Sequence, residues 1–251
     1  MIRALPGQAS GGPLPLWRTG TLIGTRRQSR HSRTLVFRVP GWQAHLPGHR
    51  VDVRLTASDG YTAQRTYSLA EPYIRDRVAI TVDFRPHGEV SPYLVETMAL
   101  GDELDVRGPL GGSFAWDPDA HDADEPLLLI GDGVGIVPLM TMVRARARLT
   151  DRAPVLLVYS TPDPYSLMYG PELTSHVDGM ESRVVYTRTA PPGDTRRAGL
   201  LRREDLRTPA DWQGRPAARV YVSGSAQFVD NTTVLLGERG DRQSHIRFER
   251  F

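Results

Sequence analysis

Two short segments carry residue types suited to chemistry. In Arg65-Thr-Tyr-Ser68, strand alternation puts Arg65 and Tyr67 on one face and Thr66 and Ser68 on the other. A guanidinium beside a phenol ring suits a ligand that joins a phosphate to a flat aromatic system; an Arg–Tyr face turned to solvent would read the same. In Gly131-Asp-Gly-Val-Gly-Ile-Val-Pro138 an apolar strand passes through glycines into a helix. Glycines let the backbone approach a diphosphate, whose charge is favoured at a helix N-terminus. Tight strand–helix packing also calls for glycine. The spacing departs from G-x-G-x-x-G, and Pro138 stands where a third glycine would.

Composition removes several other chemistries. The 251 residues include no Cys, which excludes a thiol nucleophile, a CxxC pair and a Cys-held iron–sulfur cluster. All 31 basic residues are Arg, which excludes a Schiff-base lysine and a P-loop lysine. The seven His show neither HExxH nor paired ligand spacing, so no metal is expected. Ser223-Gly-Ser225 is not a GxSxG elbow. Net charge is +2 with the signs interspersed, and basic runs such as Arg26-Arg27 are short, so nucleic acid is not an expected partner. No stretch approaches 18 apolar residues, so no membrane span is expected. The expectation is a soluble, cytoplasmic protein.

The elements that must position these segments fall into two rhythms. Residues 1–16, rich in Gly, Pro and Ala, read as a flexible tail. From 17 to 116 the strands are short and alternating: Thr34–Val39, Arg50–Leu55, Thr66–Leu69, Val78–Val82 and Glu103–Arg107. Five or six of them predict a closed antiparallel β-barrel. One helix interrupts, with Ser91 as N-cap, Pro92 in its first turn and Tyr93 to Met98 following. After a linker at 117–126, continuous apolar runs alternate with helical stretches over 127–251. Strands are expected at Leu127–Ile130, Val155–Tyr159, Arg183–Tyr186, Arg219–Val222 and Ile246–Phe251. Helices are expected at Ile136–Leu149, near Pro171–Val177 and from Ala226 to about Leu236. Buried strands alternating with helices predict a doubly wound parallel sheet. The fold class is thus two-domain, β then α/β.

In order along the chain, Arg65-Thr-Tyr-Ser68, Gly88-Glu-Val-Ser91, Gly133-Val-Gly-Ile-Val-Pro138 and Tyr221-Val-Ser-Gly-Ser225 resemble the motifs of the ferredoxin–NADP⁺ reductase superfamily. The likeness is closest to its bacterial FAD-binding oxidoreductases without a fused iron–sulfur domain. It implies a flavin-binding barrel followed by an NAD(P)-binding domain, with FAD as cofactor and NAD(P)H as co-substrate. Arg65 would pair with the FAD diphosphate, Tyr67 would lie on the isoalloxazine, and Ser68, next to Thr66, would sit near flavin N5. Gly88, Val90 and Ser91, with His87 beside them, would meet the flavin diphosphate. Gly133, Val134, Gly135 and Pro138, with Ser160 and Gly224 at neighbouring strand ends, would border the nicotinamide dinucleotide. Arg188, Arg196 and Arg197 would lie towards its adenosine. Tyr67, Ser68, Ser223, Glu249 and Phe251 would form the catalytic group, with Phe251 over the flavin.

Three residues depart from the family pattern. Asp132 stands where a small uncharged residue is usual, and its carboxylate would oppose a diphosphate at a cost of about 1 kcal/mol if solvated. Ser223 stands in place of a frequent Cys, and Thr161 where NADP-preferring members often carry Arg. The expected function is an FAD-dependent NAD(P)H oxidoreductase. It would take a hydride from the nicotinamide and pass electrons to a separate ferredoxin, haem or molybdenum-cofactor protein. A family member repurposed for another reaction with weakened nicotinamide use, or a non-catalytic flavin-binding scaffold, are the alternatives.

Overall fold

The computed structural model describes residues 15–119, 125–149, 154–175, 179–209, 212, 217 and 219–251. Most of the expected tail (1–14) and part of the expected linker (120–124) lie outside them.

Six antiparallel strands build the first unit: β1 (Trp17–Arg27), β2 (Ser32–Arg38), β3 (Arg50–Thr56), β4 (Thr62–Ser68), β5 (Arg77–Asp83) and β6 (Glu103–Leu110). Their order is β4-β3-β6-β1-β2-β5. Alternation turns Leu35, Phe37, Val51, Val53, Val78, Ile80 and Val106 into one interior, all essentially inaccessible. The end strands β4 and β5 meet just past β4, where Leu69 bridges Ile80 and Ala70 N–H donates to Ala79 O at 2.8 Å. Beyond that join they part, and the gap opens towards Arg65–Ser68.

β1 is the strand that alternation leaves least visible. Gly20 and Gly24 interrupt its apolar pattern, and its register with β2 shifts between Leu22 and Gly24. The short helix differs too. Ser91 does not cap it; the Ser91 hydroxyl accepts the Arg85 N–H at 3.0 Å, and Tyr93–Thr97 form a single wide π turn. Arg33 closes that turn by donating to the carbonyls of Leu94, Val95 and Met98 at 3.3, 3.4 and 2.9 Å.

The second unit is a parallel sheet of β7 (Leu127–Asp132), β8 (Val155–Thr161), β9 (Met180–Tyr186), β10 (Arg219–Gly224) and β11 (Ile246–Arg250). Their order is β11-β10-β7-β8-β9. Helix α1 (Ile136–Arg146) and the short α2 (Gly170–Thr174) contribute to one core with Leu127, Leu129, Leu157 and Tyr159. Helix α3 (Ala226–Arg239) packs Val229 and Leu236 with Leu128, Ile130, Leu156 and Val158 on the other face. Burial on both faces explains the unbroken apolar runs. Strand order reverses between β7 and β10, so ligands are expected at the carboxyl ends of these two strands.

α1 also faces the barrel, which accounts for its burial nearly all round. Thr141 Oγ1 donates to Leu69 O at 2.7 Å, and Arg144 donates to Ala70 O while gripping Glu172 through two bonds of 2.6 and 2.8 Å. The hydroxyls of Tyr169 and Thr81 lie 2.5 Å apart, and the Arg144 guanidinium lies over the Tyr169 ring. These contacts fix the gap between β4 and β5 against the carboxyl ends of the parallel strands.

Candidate active site

A cleft of about 630 Å³ lies where the two units meet. From the barrel it is lined by Arg50, Arg65–Ser68, Thr81, Asp83, Arg85, Gly88, Val90 and Ser91; from the parallel-sheet unit by Val134, Val137, Ser225 and Glu249–Phe251. Tyr67 is half-buried and its phenol is pushed up to about 12 by burial, eased only by Arg65, so it is a neutral aromatic wall at ordinary pH. Thr66 Oγ1 donates to Asp52 at 2.6 Å, and Asp52 is held in turn by Arg107 at 2.6 Å, so strand β4 is tied to β3 behind the cleft. Gly88 closes the turn before Ser91: a Cβ there would fall 2.9 Å from Ser91 Oγ and 3.2 Å from Arg85 O.

The two units are joined inside the cleft by one carboxylate. Glu249, 7% exposed at the end of β11, accepts from Ser68 Oγ at 3.1 Å and from Ser223 Oγ at 3.4 Å. Arg50, paired across the strands with Ser68, comes to 3.6 Å from its other oxygen. Burial raises the Glu249 carboxyl above the usual carboxylate range, and Arg50 and the two hydroxyls offset only part of that. Phe251 follows, half exposed, its N–H donating to Gly224 O at 3.3 Å.

The glycine turn after β7 divides its labour. Gly133 has φ +53° with open space where a side chain would begin, which is room for a ligand. Gly135 is buried, and a Cβ on it would fall 2.0 Å from Ser223 O. Pro138 is buried within α1. Asp132 takes a hydrogen bond from Ser225 Oγ at 3.3 Å and one from Ser160, and burial raises its carboxyl. It therefore stands at the carboxyl end of β7, beside the reversal of strand order.

The sequence-predicted residues thus separate. Arg65, Thr66, Tyr67, Ser68, Gly88, Val90, Ser91, Val134, Glu249 and Phe251 line one cleft, with Ser223 bonded to its carboxylate. Gly133, Ser160 and Gly224 lie outside its lining: Gly133 in the turn after β7, and Ser160 and Gly224 buried at the carboxyl ends of β8 and β10. His87 and Arg188 are exposed outside its lining. Arg196 is spent within its own loop, bidentate to the buried Asp205 at 2.7 and 2.8 Å; Arg197 beside it is exposed. Sequence reasoning missed Arg50, Thr81, Asp83 and Arg85. Arg50 faces Ser68 through a strand pairing that no local motif announces, whereas the alternating charges of Asp83-Phe-Arg85 after an apolar strand were a usable signal.

A cleft of this size, with the aromatic side chains of Tyr67 and Phe251, arginines and a glycine-closed turn, fits a flat ring system carrying phosphates. Residues 19–116 match the family model of the oxidoreductase FAD-binding domain, and residues 129–233 that of the oxidoreductase NAD-binding domain. The chain belongs to the FAD- and NAD-binding oxidoreductases. This is the family its motifs resemble, and FAD and a nicotinamide dinucleotide are the ligands of its two domains. Among relatives, an NADPH oxidoreductase of Mycobacterium tuberculosis is 30% identical over 172 residues, covering 64% of this chain and 44% of its own. A flavohemoprotein of Bacillus subtilis is 26% identical over 220 residues, covering 85% and 52%. This oxidoreductase chain spans about half the length of these relatives. The fold matches the FAD/NAD-binding domain of a nitric oxide dioxygenase from Vibrio cholerae with a TM-score of 0.80, at 20% identity over 93% of this chain and 98% of that one. A ferredoxin NADP⁺ reductase from Neisseria gonorrhoeae with bound FAD and NADP gives 0.76 at 18% identity, with the same two coverages.

Proposed function

We propose that this chain is an NAD(P)H-dependent flavin reductase that delivers electrons to a separate protein. The observation that carries this reading is the Ser68–Glu249–Ser223 bridge, which brings barrel, dinucleotide domain and a desolvated carboxyl to one point. FAD, when bound, supplies hydride acceptance and one-electron release. The chain's own residues then have distinct tasks. Tyr67 and Phe251 flank the flat ring and keep water from it. The Ser68 and Ser223 hydroxyls donate to Glu249 Oε2 and Arg50 stands beside its other oxygen, which fixes in place a buried carboxyl that can carry a proton. Arg65 and Arg85, with the Gly88–Ser91 turn, receive the flavin diphosphate; Gly133 and the start of α1 receive that of the dinucleotide.

These 251 residues contain no Cys, so within them no cluster can be held by thiolates, and the reading places the acceptor outside these two domains. Relatives are named as flavohemoproteins and as the ferredoxin–NAD(P)⁺ reductase component of a dioxygenase system, which supports a haem protein or a ferredoxin. The test is turnover of the FAD-loaded chain with NADPH or NADH and ferricyanide as acceptor. Steady reduction is expected, and its absence with both donors contradicts the proposal. Asp132 favours a second reading, a flavin-binding member with weakened nicotinamide use, in which turnover appears only at very high donor concentration.

A further inference from the structure

Three arginines of the barrel line the cleft, and each meets a carboxylate of the chain itself. Arg50 stands 3.6 Å from Glu249, Arg85 3.8 Å from Asp83 and Arg65 3.2 Å from Glu89. The third pair differs in kind. Glu89 lies between Gly88 and Val90, within the turn that receives the flavin diphosphate, and its other oxygen accepts from the Tyr61 hydroxyl at 2.6 Å. Tyr61 sits on the turn just before β4. One carboxylate therefore ties the β3–β4 turn, Arg65 and the Gly88–Ser91 segment into a clasp at the cleft. The remaining terminal nitrogen of Arg65 donates to Gln64 O at 2.7 Å, so its guanidinium is already engaged within the chain. Both side chains of the ion pair are about half exposed, at 54% and 50%. The clasp is thus open to solvent and to exchange of partners.

A guanidinium fork binds one oxyanion pair well and two poorly, because the second anion meets the charge of the first. We propose that Glu89 is a competing anion that sets flavin affinity: it occupies Arg65 until the FAD diphosphate displaces it, which makes FAD an exchangeable ligand of this chain. The inference rests on the reading of Arg65 as the diphosphate cation. Removing the carboxylate's charge leaves Arg65 free for the flavin and raises the net positive charge of the site by one. Exposed ion pairs are weak, so the effect is a few-fold rather than a switch.

The experiment is a fluorescence titration of the flavin-stripped full chain with FAD, at low salt and again at about 0.5 M salt, where surface charges are screened. Glu89→Gln is expected to lower Kd about fivefold at low salt, with the gain shrinking as salt rises. In a double-mutant cycle the gain disappears in the Arg65→Ala background. A Kd unchanged or raised by Glu89→Gln overturns the proposal, as does a gain that persists without Arg65 or at high salt. If Arg65→Ala binds FAD as tightly as the parent, or no variant takes up FAD, the diphosphate reading itself fails and the clasp fails with it. A parent that binds FAD and loses affinity on Arg65→Ala, but not on the Glu89 change, rejects the clasp alone.

Discussion

Glu249 is where the charge and the chemistry of the cleft coincide. Its carboxyl is raised by burial, so a step that uses its proton is fastest at low pH and slows as pH rises through that raised value. Glu249→Gln is expected to slow NADPH-driven flavin reduction by about a hundredfold and to flatten this pH dependence while FAD uptake is unchanged; stopped-flow reduction across a pH series checks both. Asp132 acts on the other ligand. If the dinucleotide diphosphate binds at the glycine turn as proposed, the Asp132 carboxylate would oppose it, so Asp132→Asn is expected to lower KM for the nicotinamide donor about fivefold, from about 1 kcal/mol of removed repulsion, with kcat little changed. Steady-state kinetics with NADPH and NADH decide this. Both residues were visible in the sequence, Glu249 through the resemblance and Asp132 as a departure from it. Their partners were not. The Ser68–Glu249 bond spans 181 residues, and no local pattern encodes such a pairing.

At the scale of elements, the glycine turn after β7 makes a prediction that distinguishes space from backbone conformation. Gly135 has an ordinary helical φ of −60°, and its constraint is the Ser223 carbonyl, 2.0 Å from where a Cβ would sit. Gly133 has φ +53° and empty space around it. Gly135→Ala is therefore expected to push the turn off β10 and to cost a few kcal/mol, whereas Gly133→Ala costs about 1–2 kcal/mol of backbone strain. Urea unfolding of the two variants gives the comparison. The buried strands β7, β8 and β10 were legible because both faces are covered and their apolar runs are continuous. β1 was not singled out because Gly20 and Gly24 thin its pattern and a register shift breaks its period. The turn after Ser91 was legible as helical, but its π form follows from the tertiary contact with Arg33 rather than from propensity.

For the whole molecule, the β-then-α/β order was readable from the change of hydrophobic period, whereas the cleft between the units depends on packing between them. That packing rests on polar contacts at Thr141, Arg144 and Tyr169, residues whose types suggest nothing of the kind. Stability of the whole has a pH signature as well. His45 is buried beside Trp42, whose indole N–H donates to His45 Nδ1 at 3.1 Å, while Nε2 faces Glu71 O at 3.0 Å. Desolvation holds its pKa at about 4; the Glu71 carbonyl opposes the shift and His49 adds to it. Between pH 6.5 and 4 the unfolded chain binds a proton that the folded chain refuses, so stability falls as pH drops through this window and this group adds nothing further below it. The loss is on the order of 3 kcal/mol, and His45→Gln should flatten the slope in urea unfolding at stepped pH.

On the proposed reading, the Glu249 bridge holds the two domains so that FAD, when bound, would be reduced by a nicotinamide dinucleotide in the cleft. Anaerobic titration of the FAD-loaded chain with NADPH and then NADH, followed in the visible flavin band, is the test. Bleaching by at least one donor is the predicted result. A yellow protein that stays oxidised with both, yet bleaches with dithionite, would contradict it.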